Sequence, residues 1–530
     1  MKPLRRLLCL ASLAGAVALA SCAEKEDETF SRYEQMALRA WMELNRPDLV
    51  ENYQFIPGHE DEGYYVDLHD AGDPDASPVN AEACWVTFDF SGRDLSGNII
   101  LSRDASDAVL AGTFTKYTHY VPFYRYCGSE NSGLMEGTWL AMRNKLTLGE
   151  KYFEEHKAEL GIDSREVLLR EGSKVTLYLP SRVVGAGVEG DGGYEGQYKL
   201  NSRKPFIVTM TVRDTVKNPL ELEGTNVDAY CERNGGLQIF SKDKGEKATS
   251  DGVMTGMPTD PNDPNHPYNE ASKRWVSACD SVAQLYVNYR YRPDETFDFP
   301  EPYVSGYEPY KTDASLAEID RQIAEALVER FHPDEDEPYA GVAELDADSV
   351  KTDGTARIWY IGRFLDGFIF DTNIDEVKKI IYGEVVEKGT AHSFKSSAND
   401  LIAAFAYVVP NLKFGQWAAL ITTSTYGYGS SGRAGTTSSS SSSTSNGYTS
   451  GYLDYLNYLN YVNSYYNDYY GGYYGGYYGG YYGGYYDNYY GSGYDTSDTG
   501  SEVTTKVYTE IPPYAPLIFQ FYVEPAEKDD

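Results

Sequence analysis

The stretch ARIWYIGRFLDGFIFDTN, residues 356–373, decides how this chain of 530 residues is interpreted. Apolar and aromatic residues extend on both sides of an Asp-Gly pair, which is a common signal for a turn between paired strands. Such a hairpin requires the turn, but it does not require a tyrosine two residues before a glycine or a Phe-Asp pair after the turn. Those residues, Tyr360, Phe370 and Asp371, are the first candidates for a functional site.

A second segment follows the same pattern. Residues 82–100, EACWVTFDFSGRDLSGNII, also run from an aromatic through a glycine to an Xaa-Gly turn and an apolar strand. Aligning the two segments pairs Phe90 with Tyr360, Gly92 with Gly362, and Gly97 with Gly367. Self-similarity of this kind predicts two copies of one fold, of which the first is expanded and divergent.

A helix with apolar residues at roughly helical spacing precedes each segment. In SRYEQMALRAWMEL these residues are Met36, Leu38, Trp41 and Leu44. In SLAEIDRQIAEALVERF they are Leu316, Ile319, Ile323 and Leu327. Ser315 and Glu318 form a capping-box pattern that predicts the start of the second helix. The pairing of helix and strands in both places supports the duplication.

Residues 218–312, between the two copies, carry one strand pattern. In AQLYVNYRY the alternating residues Leu285, Val287, Tyr289 and Tyr291 predict a strand with one buried face. The nearby stretch MPTDPNDPNHPYN lacks the glycine and terminal glutamate of a calcium loop, so its Pro, Asp and Asn residues predict turns.

The amino terminus has the form of a targeting signal. MKPLRRLLCLASLAGAVALASC begins with basic residues and continues with an apolar run too short to span a bilayer. It ends in Leu-Ala-Ser-Cys, which resembles the lipobox of bacterial lipoproteins, where the signal is removed and the cysteine, here Cys22, carries a lipid. The resemblance implies anchoring in the envelope of a Gram-negative bacterium, at the outer membrane. An ordinary secretory signal with an incidental cysteine is the alternative.

The net charge restricts the possible partners, and the cysteine content restricts the possible disulfides and metal sites. The formal net charge of −34 argues against nucleic acid, because phosphate contacts require clustered Lys and Arg. Outside the cytoplasm, four cysteines are available for disulfides in any of three pairings. They are Cys84, Cys127, Cys231 and Cys279. Their spacing fits no zinc motif, and the histidines are scattered, so we predict neither a metal nor a cofactor.

Residues 430–505 form a low-complexity segment of Ser, Thr, Tyr and Gly that includes repeated Tyr-Tyr-Gly-Gly. With so few aliphatic residues it cannot form an ordinary packed core, and we expect disorder. Its tyrosine rings could contact proteins or glycans, whereas a tolerated loop insertion without a role is the alternative.

From residue 351 to residue 524 the chain resembles the FKBP-type peptidyl-prolyl cis-trans isomerases, interrupted by that insertion. The signatures occur in the family's order: YIGRFLDGFIFD, NDLIAAFAYVV, GQWAALITTSTYGYG and IPPYAPLIFQFYVE. The resemblance implies an α+β fold, in which a twisted antiparallel sheet wraps around one short helix. With the duplication, it predicts two such FKBP-like sheets.

The family's pocket lies between helix and sheet and is lined by aromatic side chains. Carried over position by position, the matching residues are Tyr360, Phe370, Asp371, Leu401, Ile402, Phe405, Tyr428, Ile511 and Phe519. In family complexes the backbone N–H at the helix entry, here Ile402, receives the proline-side carbonyl. Tyr428 would donate a hydrogen bond to the substrate, and Asp371 would accept one from Tyr360. The alternative is that these aromatics are ordinary core residues.

Two departures from the family pattern stand out. Glu510 replaces an apolar residue, and Pro410 predicts an early end of the helix. In the first copy Phe90 replaces the tyrosine, while Ile100 and Leu101 replace Phe-Asp and Val184 takes the place of the second tyrosine. Without hydroxyl and carboxylate, we predict no isomerase activity in the first copy.

These observations define the predicted organisation and function. The predicted regions are a signal peptide at 1–22, a tether and helix at 23–62, a divergent FKBP-like domain at 63–216, a linker region at 217–335 and an FKBP-like isomerase domain at 336–530. The predicted function is isomerisation of prolyl bonds in exported polypeptides by a lipid-anchored folding factor. The alternatives are an inactive FKBP-like binding module and a surface-display lipoprotein, in both of which the Tyr/Gly tract mediates interaction.

Overall fold

The structure is a computed structural model that describes most of the chain outside its amino terminus and insertion. The described residues are 31–112, 114–131, 134–185, 204–239, 258, 260–278, 284–299, 313–333, 348–350, 354–385, 387–395, 401–433, 437–440, 504–507 and 509–526. Cys22, Cys279 and residues 434–436 and 441–503, which include the whole Tyr/Gly tract, lie outside them. In this described part, no helix combines the length and apolar character needed to cross a membrane.

The chain divides into two compact units. The first comprises residues 1–115 and 120–222, and the second comprises residues 116–119 and 223–530. Each unit is built around one main sheet of predominantly antiparallel strands with helices packed on it, so the α+β fold class is confirmed.

The first unit starts with a helix and ends with a long central strand. Its helices are α1 (residues 31–45), α2 (Ala105–Leu110), α3 (Glu136–Arg143), α4 (Glu150–Leu160) and α5 (Arg182–Gly185). Its strands are β1 (Tyr53–Ile56), β2 (His59–Asp70), β3 (Cys84–Arg93), β4 (Ile99–Ser102), β5 (Phe123–Cys127), β6 (Leu146–Thr147), β7 (Glu166–Val167), β8 (Lys174–Leu179) and β9 (Phe206–Val216). The sheet order is β1-β2-β8-β9-β3-β4, and β5 also pairs with β3.

The second unit has the larger sheet. Its helices are α6 (Pro219–Arg233), which begins at the boundary of the units, α7 (Asp313–Phe331), α8 (Asp375–Tyr382) and α9 (Ala403–Val408). Its strands are β10 (Leu237–Gln238), β11 (Trp275–Ser277), β12 (Leu285–Asn288), β13 (Thr355–Phe364), β14 (Ile369–Thr372), β15 (His392–Lys395), β16 (Trp417–Thr422), β17 (Thr437–Ser440), β18 (Thr504–Val507) and β19 (Leu517–Pro525). The order is β10-β11-β12-β16-β19-β13-β14, and β15 also pairs with β13.

The two sheets repeat one topology. The path β2-β8-β9-β3-β4 of the first unit corresponds to β12-β16-β19-β13-β14 of the second. Both hairpins carry a register shift immediately after a glycine, Gly92 in β3 and Gly362 in β13. Their turns use Gly97 and Gly367 at φ of +88° and +93°, a conformation that favours glycine. The alignment of these positions predicted from the sequence is therefore confirmed.

The apolar set noted in the sequence of α1 is only partly buried, with Trp41 packed against the core. Met36 and Leu44 are 60% and 81% exposed, whereas Leu38 and Met42 are fully buried. Glu34 lies on the same buried face, four residues before Leu38, because its carboxylate accepts hydrogen bonds from the Ser181 backbone N–H at 3.0 Å and the Ser181 hydroxyl at 2.8 Å. A buried carboxylate with both oxygens bonded can occupy a core position that apolar periodicity does not reveal.

The counterpart of α1 is α6, and not the helix that the sequence suggested. Glu223 in α6 accepts hydrogen bonds from the Ser424 N–H at 2.8 Å and the Ser424 hydroxyl at 2.7 Å. These bonds repeat those of Glu34, and both serines follow equivalent strands, β8 and β16. The segment 217–335, predicted to be a linker, thus supplies α6, α7 and three strands to the second unit.

Helix α7 covers the sheet of the second unit. It begins at Asp313, two residues before the predicted cap Ser315. Its residue Phe331 packs edge-on against Trp417 of β16 at 5.2 Å between ring centroids. On the same face Arg363 forms a buried ion pair with Asp320 at 2.8 Å. Strand β12 is buried along its whole length, and not on one face alone. On the face of Tyr286, the tyrosine hydroxyl donates to Asp228 of α6 at 2.8 Å.

The expected disorder of residues 430–505 does not extend to the base of the insertion. Thr437–Ser440 and Thr504–Val507 pair as an antiparallel ribbon, β17 with β18. Arg433 and Ile511, which flank this ribbon in the sequence, form a backbone bridge in which each N–H donates to the other carbonyl at 2.8 Å. These residues pair through their backbones, which composition alone could not indicate.

Two cysteines face each other across the first sheet. Cys84 and Cys127 are directly opposed residues of β3 and β5, and both are buried free thiols. Burial, together with the neighbouring Cys84, raises the pKa of Cys127 to about 12. Of the three pairings that the sequence left open, the register favours the one that joins Cys84 to Cys127.

We expect oxidised glutathione to join Cys84 to Cys127 by thiol–disulfide exchange, which releases two glutathione thiols. Directly opposed Cα atoms in antiparallel sheets are about 4.5–5.5 Å apart, inside the roughly 4.4–6.8 Å range of disulfides. Peptide mass mapping without reduction should recover the linked pair, and the bond should raise the free energy of unfolding by about 2–4 kcal/mol. The Cys231→Ser control should keep the link. Recovery of Cys84 linked to Cys231 or Cys279 would contradict the register.

Candidate active site

The β13–β14 hairpin brings a tyrosine and an aspartate together. Gly362 is opposite Asp371 in the register, so Tyr360 and Asp371 reach the same side of the hairpin. The Tyr360 hydroxyl donates to Asp371 Oδ2 at 3.3 Å. Burial and then the negative charge of Asp371 raise the pKa of Tyr360 well above its ordinary value, so this phenol stays protonated and remains a donor.

Side-chain hydrogen bonds hold this hairpin in register. Asn373 Oδ1 accepts from the Tyr360 backbone N–H at 2.8 Å, and Asn373 Nδ2 donates to the Ile358 carbonyl at 2.9 Å. The Thr372 hydroxyl donates to the Tyr360 carbonyl at 2.8 Å. The position of Tyr360 is therefore fixed by the strand that follows the turn.

Three phenylalanines from three elements form one cluster beside Tyr360. Phe519 of β19 meets Phe370 of β14 at 5.7 Å and Phe405 of α9 at 5.2 Å between ring centroids, both edge-on. Tyr360 lies 6.1 Å from Phe519 in the same geometry. Edge-to-face contacts at these distances are favourable for aromatic rings. All three phenylalanines are at most 4% exposed, so the cluster is closed to solvent in this conformation.

Gly362 makes that cluster possible. A Cβ at this position would lie 2.7 Å from Phe370 Cζ and 3.0 Å from the Phe519 ring. Such distances are too short for a Cβ contact, so a side chain here would displace one of the two rings. The glycine of the opening motif is thus required by close packing.

Tyr428 is presented by a tight turn after β16. The Ser424 carbonyl accepts from the backbone N–H groups of Gly427 and Gly429, both at 2.9 Å. Ser424 is itself held by the buried carboxylate of Glu223 in α6. Burial raises the pKa of Tyr428, which keeps its hydroxyl protonated.

Two further predicted residues lie next to elements that carry site residues. Ile402 immediately precedes α9, and its carbonyl accepts from the Phe405 backbone N–H at 3.1 Å. Helix α9 ends at Val408, before Pro410, as the proline predicted. Ile511 is 1% exposed and pairs with Arg433 through its backbone.

Arg433 is the site residue that sequence analysis missed. Its Nη1 lies 3.6 Å from Asp371 Oδ2 and donates to the Tyr428 hydroxyl at 3.5 Å. Its guanidinium carbon lies 5.3 Å from the Tyr428 ring centroid and 5.9 Å from that of Phe370. Cation–π contacts of this kind occur within about 6 Å. The available signal was a lone arginine in a Ser/Gly tract, which by itself indicates nothing.

Residues 347–444 match the family model described as FKBP-type peptidyl-prolyl cis-trans isomerase. This segment is an FKBP-type domain. The match includes Tyr360, Asp371 and Tyr428 and ends within the insertion. The structure adds Ile511 and Phe519, because β19 returns between β13 and β16 and closes the FKBP-type sheet.

Several solved structures are similar to the chain at low identity. The three FKBP domains of wheat FKBP73 align at 10% identity over 88% of this chain and 95% of that chain, with a TM-score of 0.18. FkpA from Escherichia coli aligns at 11% identity over 39% of this chain and 70% of that chain, with a TM-score of 0.21. A peptidyl-prolyl cis-trans isomerase from Pseudomonas syringae pv. tomato aligns at 15% identity over 35% and 96%, with a TM-score of 0.20. A search of curated proteins found no match.

The first unit has the same framework without the polar groups of the candidate site. Leu101 is opposite Gly92 where Asp371 is opposite Gly362, and Val208 takes the place of Phe519. Phe90 is buried at the position of Tyr360. The equivalent positions are thus apolar and offer neither a carboxylate nor a phenol.

The hydrogen bonds between Glu223 and Ser424 should stabilise the turn that carries Tyr428. Glu223→Ala leaves the Ser424 N–H buried without its acceptor, which costs about 1–3 kcal/mol. Peptides covering the turn should therefore exchange backbone hydrogen for deuterium about tenfold faster or more.

Hydrogen–deuterium exchange read by mass spectrometry measures this effect segment by segment. The matched variant Glu34→Ala should loosen the segment around Ser181 in the first unit and leave the Tyr428 turn as protected as in the native chain. Equal protection of the Tyr428 turn in native and Glu223→Ala chains would show that α6 does not hold it.

Proposed function

We propose that the second unit is a peptidyl-prolyl cis-trans isomerase acting on exported polypeptides. The observation that carries this proposal is the Tyr360–Asp371 hydrogen bond at the edge of the Phe370, Phe405 and Phe519 cluster. The FKBP-type match over residues 347–444 supports the same reaction class.

The reaction requires rotation about an amide bond and no bond cleavage. Partial double-bond character sets a barrier of about 18–20 kcal/mol, and Xaa-Pro bonds populate both isomers. The planar amide has more charge separation than the twisted one. An apolar environment such as the phenylalanine cluster therefore disfavours the planar ground state relative to the twisted state.

Polar groups at the edge of the cluster hold the substrate. The protonated Tyr428 hydroxyl can donate to a substrate carbonyl, and the Ile402 backbone N–H at the helix entry can hold a second one. Asp371 accepts from Tyr360 and thereby fixes the tyrosine ring against Phe519. Donors that are oriented before the reaction stabilise a displaced carbonyl without reorganisation in the twisted state.

In an isomerisation assay on an Xaa-Pro peptide, the full chain should accelerate exchange and Asp371→Ala should lower kcat/KM. Loss of a hydrogen bond to a charged group costs about 1.5–3 kcal/mol, which corresponds to roughly a 10- to 150-fold decrease. The neutral hydroxyl lost in Tyr428→Phe should cost about 2- to 10-fold on the same basis. The exposed Asp294, which pairs with Arg292, provides a matched control, and Asp294→Ala should retain the native rate.

The same assay decides between catalysis and the second candidate function, a non-catalytic FKBP-like binding module. That alternative is favoured by Arg433, which lies over the rings that a prolyl group would contact. Peptide binding without acceleration would support the binding module. An Asp371→Ala chain as active as the native one would remove the proposed site from the reaction.

We also propose that Cys22 is lipidated and anchors the chain in the outer membrane of a Gram-negative cell. This proposal is supported by the Leu-Ala-Ser-Cys sequence after a short apolar run. A chain anchored there would meet exported polypeptides as its substrates. Cys22→Ser should move the protein from the detergent phase to the aqueous phase in Triton X-114 partitioning, because the anchor would be lost. Unchanged partitioning would contradict lipidation at this residue.

A further inference from the structure

We propose that Arg433 occupies the substrate site of the second unit and selects peptides with a carboxylate side chain immediately before the proline. This inference rests on the proposed isomerase function and names the substrate class of the same site. It concerns a residue outside the groups used by the mechanism above.

Arg433 contacts the groups that the mechanism assigns to the substrate. Its guanidinium approaches the Asp371 carboxylate at 3.6 Å and the Tyr428 hydroxyl at 3.5 Å. It also lies over the rings of Tyr428 and Phe370. A peptide that uses the Tyr428 hydroxyl and the Phe370 ring must therefore displace the guanidinium.

The position of Arg433 is built into the backbone. Its N–H and carbonyl both pair with Ile511, and its Nη2 donates to the Thr509 carbonyl at 3.3 Å. The preceding Gly432 has φ +64°, and a Cβ there would overlap the Ile511 carbonyl oxygen. A glycine immediately before the arginine is therefore needed to bring Arg433 into this pairing.

Displacement of the Arg433 guanidinium by a peptide has an electrostatic consequence. When a peptide moves the guanidinium aside, Arg433 loses its contact with Asp371 while its backbone stays anchored next to the site. A glutamate or aspartate before the proline offers a replacement carboxylate, with which guanidinium forms strong paired hydrogen bonds. A neutral side chain offers a weaker acceptor, and a lysine adds repulsion.

The large negative charge of the chain opposes this preference only at long range. At physiological ionic strength the Debye length is about 8 Å, so most charges of the protein are screened from the peptide. A direct contact between guanidinium and carboxylate is screened much less. The preference should therefore be measured at that ionic strength.

The test uses the full chain and three peptides that differ only in the residue before proline, which is Glu, Gln or Lys. For the native chain we expect kcat/KM to follow the order Glu, Gln, Lys, with Glu above Gln by about tenfold, the scale of a charge-assisted hydrogen bond. In Arg433→Gln the Glu/Gln ratio should fall to about one, and turnover of the Gln peptide should rise severalfold. Arg433→Lys should retain part of the preference, since it keeps a point charge.

The control is Arg321→Gln on α7, where the arginine pairs with Glu318 and Glu325 on an exposed face. This variant should keep the native Glu/Gln ratio. An Arg433→Gln chain with an unchanged ratio would overturn the proposal. So would a folded Arg433→Gln chain, checked by thermal melting, that loses turnover of all three peptides, because Arg433 would then build the site instead of occupying it.

Failure of the isomerase proposal has a different signature. If neither the native chain nor Arg433→Gln accelerates any peptide, the catalytic proposal fails, and calorimetric binding of the three peptides then tests Arg433 on its own. Tighter binding of the Glu peptide than of the Gln peptide by the native chain, lost in Arg433→Gln, would support selection by Arg433. Equal affinities of the native chain for both peptides would overturn it.

Discussion

The candidate site depends on the missing side chain at position 362. Phe370 and Phe519 can meet across β13 only because no Cβ stands between them, and Phe405 and Tyr360 then pack against Phe519. The first unit obeys the same constraint at Gly92, where a Cβ would overlap the Phe206 ring. The packing of aromatic rings against this glycine is therefore a property of the fold. The function depends on which side chains surround the glycine.

The two units share one framework but differ in the side chains at the site positions. Both retain the strand path, the register shift after the glycine and a buried glutamate that holds a serine after the equivalent strand. The first unit has the buried Phe90 at the position of Tyr360 and Leu101 at the position of Asp371, so these two positions are apolar there. In the second unit the half-buried carboxylate of Asp371 is stabilised because Tyr360 and Arg433 both contact it.

Local signals were sufficient for the hairpin and for the duplication, because turn glycines and strand alternation are encoded within a few residues. Side chains that depend on distant partners were not predictable in the same way. Glu34 was missed on the buried face of α1 because it interrupts the apolar pattern, and its partner Ser181 comes much later in the chain. Arg433 was missed because its placement depends on pairing with Ile511 across the whole insertion.

The most direct test of a single prolyl site behind Gly362 is exchange NMR on an Xaa-Pro peptide mixed with one of two full-length variants, Gly362→Ala or Gly92→Ala. Each variant introduces the same methyl group at the equivalent position of one unit. The peptide should show enhanced cis–trans exchange with Gly92→Ala and only its spontaneous rate with Gly362→Ala, because that methyl separates Phe370 from Phe519. Equal enhancement by both variants would contradict a site built on this glycine.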